Sequence, residues 1–167
     1  QMLRDEFMNP EAPFYFVQIA PYKYGDPEGF KSGYFYEAQQ NTLALIPHSG
    51  MAPTVDLGDY NFIHPSKKKE VGERLAFLAL NRDYGYGSLP CYSPEAVKCI
   101  RLANGCELGV ELTHCDNGMN RWREIEGLEV AGSEGIFYPV TFAYFEWDTK
   151  VLRIRSEFVH DPCHVRY

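Results

Sequence analysis

The apolar positions change rhythm partway along this chain. The segment FYFVQI (14–19) is a nearly continuous apolar run, as expected of a strand covered on both faces. A helix is predicted from Phe30 to about Leu45, then a second short strand from Met51 to Val55 that ends at Asp56. His64-Pro65 then opens a long helix, proline suiting a first turn whose N–H would be unpaired anyway. Val71, Leu75, Leu78 and Ala79 fall on one face of it. The glycines of YGYG (84–87) stop it.

From Ser88 onwards the period shortens. ELGVEL (107–112) alternates with period two. Asn104-Gly105 separates it from a strand over 97–103 and predicts a hairpin, because a type I′ turn needs positive φ twice. Further strands are expected near 137–145, 151–155 and 164–167. Short strands at roughly ten-residue spacing predict an antiparallel β-sandwich. The chain therefore divides into an α/β piece, 1–87, and a β-rich piece, 88–167. It shows no internal repeat or low-complexity stretch.

Composition narrows the function classes. The 167 residues are 45% hydrophobic, enough for a real core and unlike a disordered chain. A net charge of −7 argues against a nucleic-acid partner, which needs a basic face. The run Lys67-Lys68-Lys69 reads as a solvated helix face. No apolar run approaches the roughly 20 residues of a membrane span. The opening QMLRDEFMNP has no signal-peptide core and reads as the middle of a helix. Five cysteines without CxxC spacing are expected to be reduced thiols, several of them buried in strands. That usage leans towards a reducing, cytoplasmic compartment and otherwise leaves localisation open.

Candidate chemistry gathers around Asp56, Asp59 and His64. Sites of parallel α/β sheets lie at the carboxyl ends of strands. A histidine there, beside a carboxylate, suits a general base: the carboxylate holds Nδ1–H and Nε2 takes a hydroxyl proton. The positive end of the following helix disfavours the imidazolium, which the carboxylate would offset. A purely structural loop histidine next to a proline is the alternative. A mixed metal site from His48, Asp56, Asp59 and His64 lacks HxH or HExxH spacing. His160, Cys163 and His164 are explained as well by strand alternation. None of the seven serines lies in G-x-S-x-G. Ser49 and Ser88 have glycine neighbours but no strand-to-helix elbow, and no cysteine has an activating local sequence. The chain is therefore expected to contain no nucleophile of its own.

Several segments then fall in a familiar order: PFYFVQIAPY (13–22), EAQ (37–39), PHSGMAPTVDLGD (47–59), and IHP (63–65) followed by Lys68, VG (71–72) and RLA (74–76). GLEVAG (127–132) and PCHVRY (162–167) follow in the β-rich half. Together they resemble the sialate O-acetylesterases of the SGNH-hydrolase type. The resemblance covers nearly the whole chain but only the C-terminal part of that family.

It implies the C-terminal part of a flavodoxin-like, three-layer α/β domain followed by a β-sandwich segment. The implied activity is removal of O-acetyl groups from sialic acid or a related sugar, without metal or organic cofactor. The resemblance places the general base at His64 and a substrate-binding role at Gln39. The nucleophilic serine belongs to an upstream part of the same protein, so the chain reads as truncated at both ends and inactive alone. An exposed sheet edge, and pairing with the missing half, are expected to follow. Departures occur at Tyr36, His48, Asn61 and Phe62, the last two at positions where an aspartate is usual. The orienting carboxylate is Asp59, with Asp56 the second choice and a serine–histidine dyad the third. The competing reading is a non-catalytic carbohydrate-binding or structural module carrying an esterase remnant. In it Trp122 and Trp147 could stack on sugars, although packing is the ordinary role of such residues.

Overall fold

A computed structural model describes residues 2–25, 30–119 and 125–167. The chain forms two units, 1–92 and 93–167.

The first unit is built on two parallel strands, β1 (Phe14–Val17) and β2 (Ser49–Ala52), paired from Phe14↔Ser49 to Val17↔Ala52. A short helix α1 (Met2–Glu6) precedes them, α2 (Phe30–Leu45) connects them, and α3 (Lys68–Arg82) follows. The apolar run at 14–19 becomes a strand, but not one covered on both faces. Phe14 and Val17 are exposed, because among the described residues the sheet holds only these two strands. β2 is fully buried along its length and stops earlier than the pattern predicts. Pro53 has no N–H to continue a ladder, and Leu57 N–H closes a turn onto the Thr54 carbonyl at 2.9 Å. Asp56 thus lies within a turn, not at a strand end.

The helix start is a second correction. His64-Pro65 does not open α3; its first residue is Lys68, and Pro65 is buried within the preceding loop. Lys67 extends its ammonium to the Asp56 carbonyl, 3.3 Å, and no side chain caps the helix. His64 is therefore displaced from the helix end, and the dipole argument about its charge loses its geometry. Of the predicted apolar face, Leu78 is fully buried while Val71, Leu75 and Ala79 are half-buried. The glycine stop is realised: Gly85 adopts φ +79°, and Tyr86 N–H reaches back to the Leu80 carbonyl at 3.0 Å. Lys68 and Lys69 lie on an exposed face, with Lys69 3.6 Å from Glu73.

The second unit is all-β. One sheet is ordered β3 (Glu95–Arg101), β4 (Leu108–Thr113), β8 (Val151–Arg155), β7 (Phe142–Glu146); the other is β6 (Phe137–Pro139), β5 (Glu129–Ala131), β9 (His164–Arg166). Every pairing is antiparallel. Leu108, Val110, Leu152 and Ile154 from the first sheet meet Leu128, Val130 and Val159 in one core, the layering expected of a sandwich.

The predicted strand over 137–145 divides in two. Val140 N–H bonds Leu128 while Thr141 N–H bonds Arg155, so the chain changes sheets between them. The β3–β4 turn is also wider than a two-residue I′ turn. Leu102 N–H pairs with the Glu107 carbonyl at 3.0 Å, leaving four residues between, and only Gly105 has positive φ. Asn104 uses its side chain instead, accepting from Cys106 N–H at 3.3 Å. Glu107 is buried and held by Arg153, which also reaches Glu146 at 3.2 Å. Arg153 keeps the Glu107 carboxyl below the usual range. All five cysteines are free thiols; Cys115 is the buried one and sits outside the strands, while Cys99 and Cys163 are exposed. Burial of several cysteines in strands is thus not found.

Candidate active site

Because β1 and β2 run in parallel, the loops leaving their carboxyl ends emerge on one side of the sheet. The first loop, 18–25, begins with Gln18. Its N–H continues the ladder to the Ala52 carbonyl at 3.0 Å, and its side-chain oxygen accepts from Thr54 N–H at 3.1 Å. Thr54 returns its hydroxyl to the Gln18 carbonyl at 2.9 Å. Both residues are buried, so this pair satisfies polar groups that would otherwise be costly there. It fixes where the two loops begin. The sequence reading passed over both residues; a lone glutamine inside an apolar run was the signal.

Further out, Asp59 N–H bonds the Pro21 carbonyl at 3.2 Å and Lys23 N–H bonds the Tyr60 carbonyl at 3.3 Å. The Lys23 ammonium reaches Asn61 Oδ1 at 3.3 Å and lies 5.8 Å from the centre of the Tyr60 ring. This seam needs a glycine. A Cβ on Gly58 would lie 2.5 Å from the Pro21 carbonyl oxygen and its ring. Tyr22 and Tyr24 meet edge to face at 5.1 Å. Burial pushes the Tyr24 and Tyr36 hydroxyls up.

The sequence-nominated residues lie on or beside these loops. His64 is exposed in the second loop, beyond the exposed aromatics Tyr60 and Phe62. Among the described residues it makes no hydrogen bond or ion pair. Asp59 uses Oδ1 to accept from Asn61 N–H at 2.8 Å and Phe62 N–H at 3.2 Å. That turn lies just before His64 in the chain. Asp56 is committed to Arg74, whose guanidinium holds its carboxyl below the usual range. Gln39, on α2, grips the end of β1: its side-chain oxygen accepts from Ile19 N–H at 2.9 Å, and its amide donates to the Val17 carbonyl at 3.4 Å. Asn61 and Phe62 occupy the turn rather than supplying a carboxylate.

The mixed metal set is not brought together. His48 Nδ1 lies 3.3 Å from Glu11, while Asp56 faces Arg74, and among the described residues no three potential ligands cluster. Trp147 is half-buried over Gly118, where even a Cβ would collide with its ring, and it meets Phe145 edge to face at 5.8 Å. That is a packing position. Trp122 lies outside the described residues. No helix among the described residues is long and apolar enough to cross a membrane.

The chain is similar to a solved carbohydrate acetylesterase from Xanthomonas citri, with 30% sequence identity, a TM-score of 0.82 and 99% of this chain covered. The chain spans 38% of that protein's length. No protein-family profile matches. No curated protein matches either.

Proposed function

We propose that this chain is part of a serine-type carbohydrate esterase that removes O-acetyl groups from sialic acid or a related sugar. The observation that carries the reading is the likeness to a carbohydrate acetylesterase across 99% of the chain. The ordered segment matches to sialate O-acetylesterases support the narrower substrate class. His64 is the general base, and its exposed place at the carboxyl side of a parallel strand pair supports that role.

The nucleophilic serine comes from a segment outside residues 1–167. Its hydroxyl attacks the acetyl carbonyl while His64 takes the proton. The tetrahedral intermediate collapses to an acetyl-enzyme, and His64 returns the proton to the departing sugar hydroxyl. Water, deprotonated by His64, then releases acetate. Asp59 is the carboxylate that orients the imidazole during turnover. Tyr60 and Phe62 offer exposed ring faces to the sugar.

A non-catalytic carbohydrate-binding role is the second reading, favoured by the lack of any carboxylate on His64 among the described residues. Reconstitution separates the two. The 167-residue chain alone is expected to be inactive on acetylated sialic acid and active once joined to a serine-bearing segment. Replacing His64 by Ala in the joined protein should then lower kcat by about six orders of magnitude, since triad members act as a unit. Robust hydrolysis by the chain alone, or wild-type turnover by His64→Ala, overturns the assignment. Sugar binding without turnover favours the second reading.

A further inference from the structure

The dipeptide Asn-Gly occurs twice in the chain, at Asn104-Gly105 and Asn117-Gly118, and the fold treats the two copies differently. Their backbones match. Gly105 and Gly118 have φ of +75° and +78°. Gly105 N–H donates to the Leu102 carbonyl at 2.9 Å, and Gly118 N–H to the Cys115 carbonyl at 2.8 Å. Both asparagines are exposed to water.

The surroundings are what differ. The Asn104 amide is held at both ends. Its Oδ1 accepts from Cys106 N–H at 3.3 Å, and the group also hydrogen-bonds the carboxyl of the buried Glu107. An asparagine bonded to the backbone two residues ahead folds back over the peptide between, here that of Gly105. Cys106 N–H also faces the oxygen on which charge gathers when a nucleophile adds to Asn104 Cγ. Gly105 has room to turn: within 4 Å of the place a Cβ would take there is only the tip of Arg101, at 3.6 Å. Among the described residues no hydrogen bond holds the Asn117 side chain. Gly118 lies against the Trp147 indole, which would collide with a Cβ there and is itself packed on Phe145.

We propose that Asn104 is a self-modifying site, deamidated by the Gly105 backbone nitrogen and water, and that Trp147 protects Asn117 from the same reaction. Gly105 N–H gives its proton to a solvent base, and the nitrogen adds to Asn104 Cγ. The Cγ–Nδ2 bond breaks, and Nδ2 leaves as ammonia after taking a proton from water. Water then adds to one of the two carbonyls of the resulting succinimide and breaks its bond to the ring nitrogen. Opening at Cγ gives aspartate; opening at the backbone carbonyl gives isoaspartate. One water is consumed and one ammonia released. To close the ring, the glycine peptide must rotate out of its hydrogen bond. Gly105 rotates into open space, whereas Gly118 must first displace the indole.

Either product removes the amide donor beside Glu107 and sets a second carboxylate there. The Glu107 charge is already matched to Arg153, so the added negative charge is repelled. The turn between β3 and β4 is loosened, and the β-rich unit loses stability with the age of the molecule.

Ageing the whole chain in mildly alkaline buffer tests this without any substitution. Trypsin releases both asparagines in one peptide, 102–121, and fragmentation by mass spectrometry assigns each conversion to Asn104 or Asn117. In the folded chain Asn104 should convert at least about tenfold faster than Asn117, a barrier difference of about 1.4 kcal/mol. In concentrated urea, with Cys106 and Trp147 no longer in place, the two rates should converge. An intact Asn104, equal rates in the folded chain, or a preference for Asn104 that persists in urea overturns the proposal. Asn104→Gln would have to close a larger, six-membered ring. That variant should keep its urea midpoint through ageing while the midpoint of the wild type falls. An equal fall in both overturns the consequence drawn for Glu107.

Discussion

Asp56 and Arg74 hold each other through two parallel hydrogen bonds of 2.7 Å and 2.6 Å, and the same guanidinium donates to the Pro53 carbonyl. The pair ties the loop after β2 to the side of α3. It also engages one of the loop's two carboxylates. Asp56 is occupied as a structural anion, so on the proposed esterase reading Asp59 is the carboxylate of this loop that would orient His64.

The anchoring role gives Asp56 a pH signature. Its hydrogen bonds to Arg74 lower its pKa from the ordinary 3.8. A depressed carboxyl pKa contributes stability that is complete above the unfolded-state value and is lost as pH falls through the folded-state value. Asp56→Asn should therefore lower the urea midpoint at pH 7 and have little effect once the pH is well below 3.8. The Asp56 side chain is 64% exposed, so the loss at neutral pH should be under about 1 kcal/mol. An equal loss at both pH values would show that charge is not what Arg74 recognises.

On the proposed esterase reading Asp59 has two separable jobs. Its Oδ1 builds the turn at Asn61 and Phe62, and its charge is what an imidazolium at His64 requires. Asp59→Asn keeps an oxygen for the turn and removes the charge. In the reconstituted esterase it should cut kcat by roughly 10³–10⁴, in line with triads whose aspartate becomes asparagine. Thermal stability of the chain should move by less than about 0.5 kcal/mol. Turnover close to wild type would mean that His64 works as a dyad.

How far these features were legible in the sequence depends on how local their causes are. The helix 30–45, the Gly85 stop and the antiparallel strands after residue 93 followed from periodicity and turn chemistry, which act within a few residues. The errors arose where a distant group decides. Pro65 reads locally as a helix opener, yet it is buried in the loop and the helix waits until Lys68. Thr54 and Val55 read as strand, but Pro53 and the turn to Leu57 end it. The 137–145 run divides because its two ends bond to different sheets. At the site, spacing nominated His64, Asp56 and Asp59 together. Only coordinates could assign Asp56 to Arg74, eighteen residues on, or bring Gln39 against the edge of β1.

Gly58 is the tightest point of the seam between the two loops. Alanine there would place a methyl group 2.5 Å from the Pro21 backbone oxygen, a contact that no side-chain rotation relieves. Gly58→Ala should destabilise the chain by about 1–3 kcal/mol, the usual cost of overpacking, read as a fall in the urea midpoint. Because the strain falls between the Pro21 and Asp59 segments, Lys23 and Asn61 should separate as well. A variant as stable as wild type would show that the two loops are not held at this spacing in solution.

Tyr15 supplies a prediction at the alkaline end. Its hydroxyl donates to Asp83 at 2.5 Å, linking β1 to the end of α3. Burial, then this hydrogen bond and the Asp83 charge, push its pKa up to about 12. A tyrosine whose folded-state pKa is raised contributes stability that is complete below its unfolded-state value of 10.0 and is lost as pH rises towards 12. Tyr15→Phe should therefore cost about 1 kcal/mol at pH 7, less than the roughly 1.5–3 kcal/mol of a buried hydrogen bond to a charged group because this pair is exposed to solvent. The variant should also lose less stability than wild type between pH 10 and 12. Urea midpoints across that window, with phenolate absorbance followed alongside, provide the check. Parallel loss in both proteins would assign the alkaline transition to other groups and reduce the Tyr15–Asp83 contact to a surface encounter.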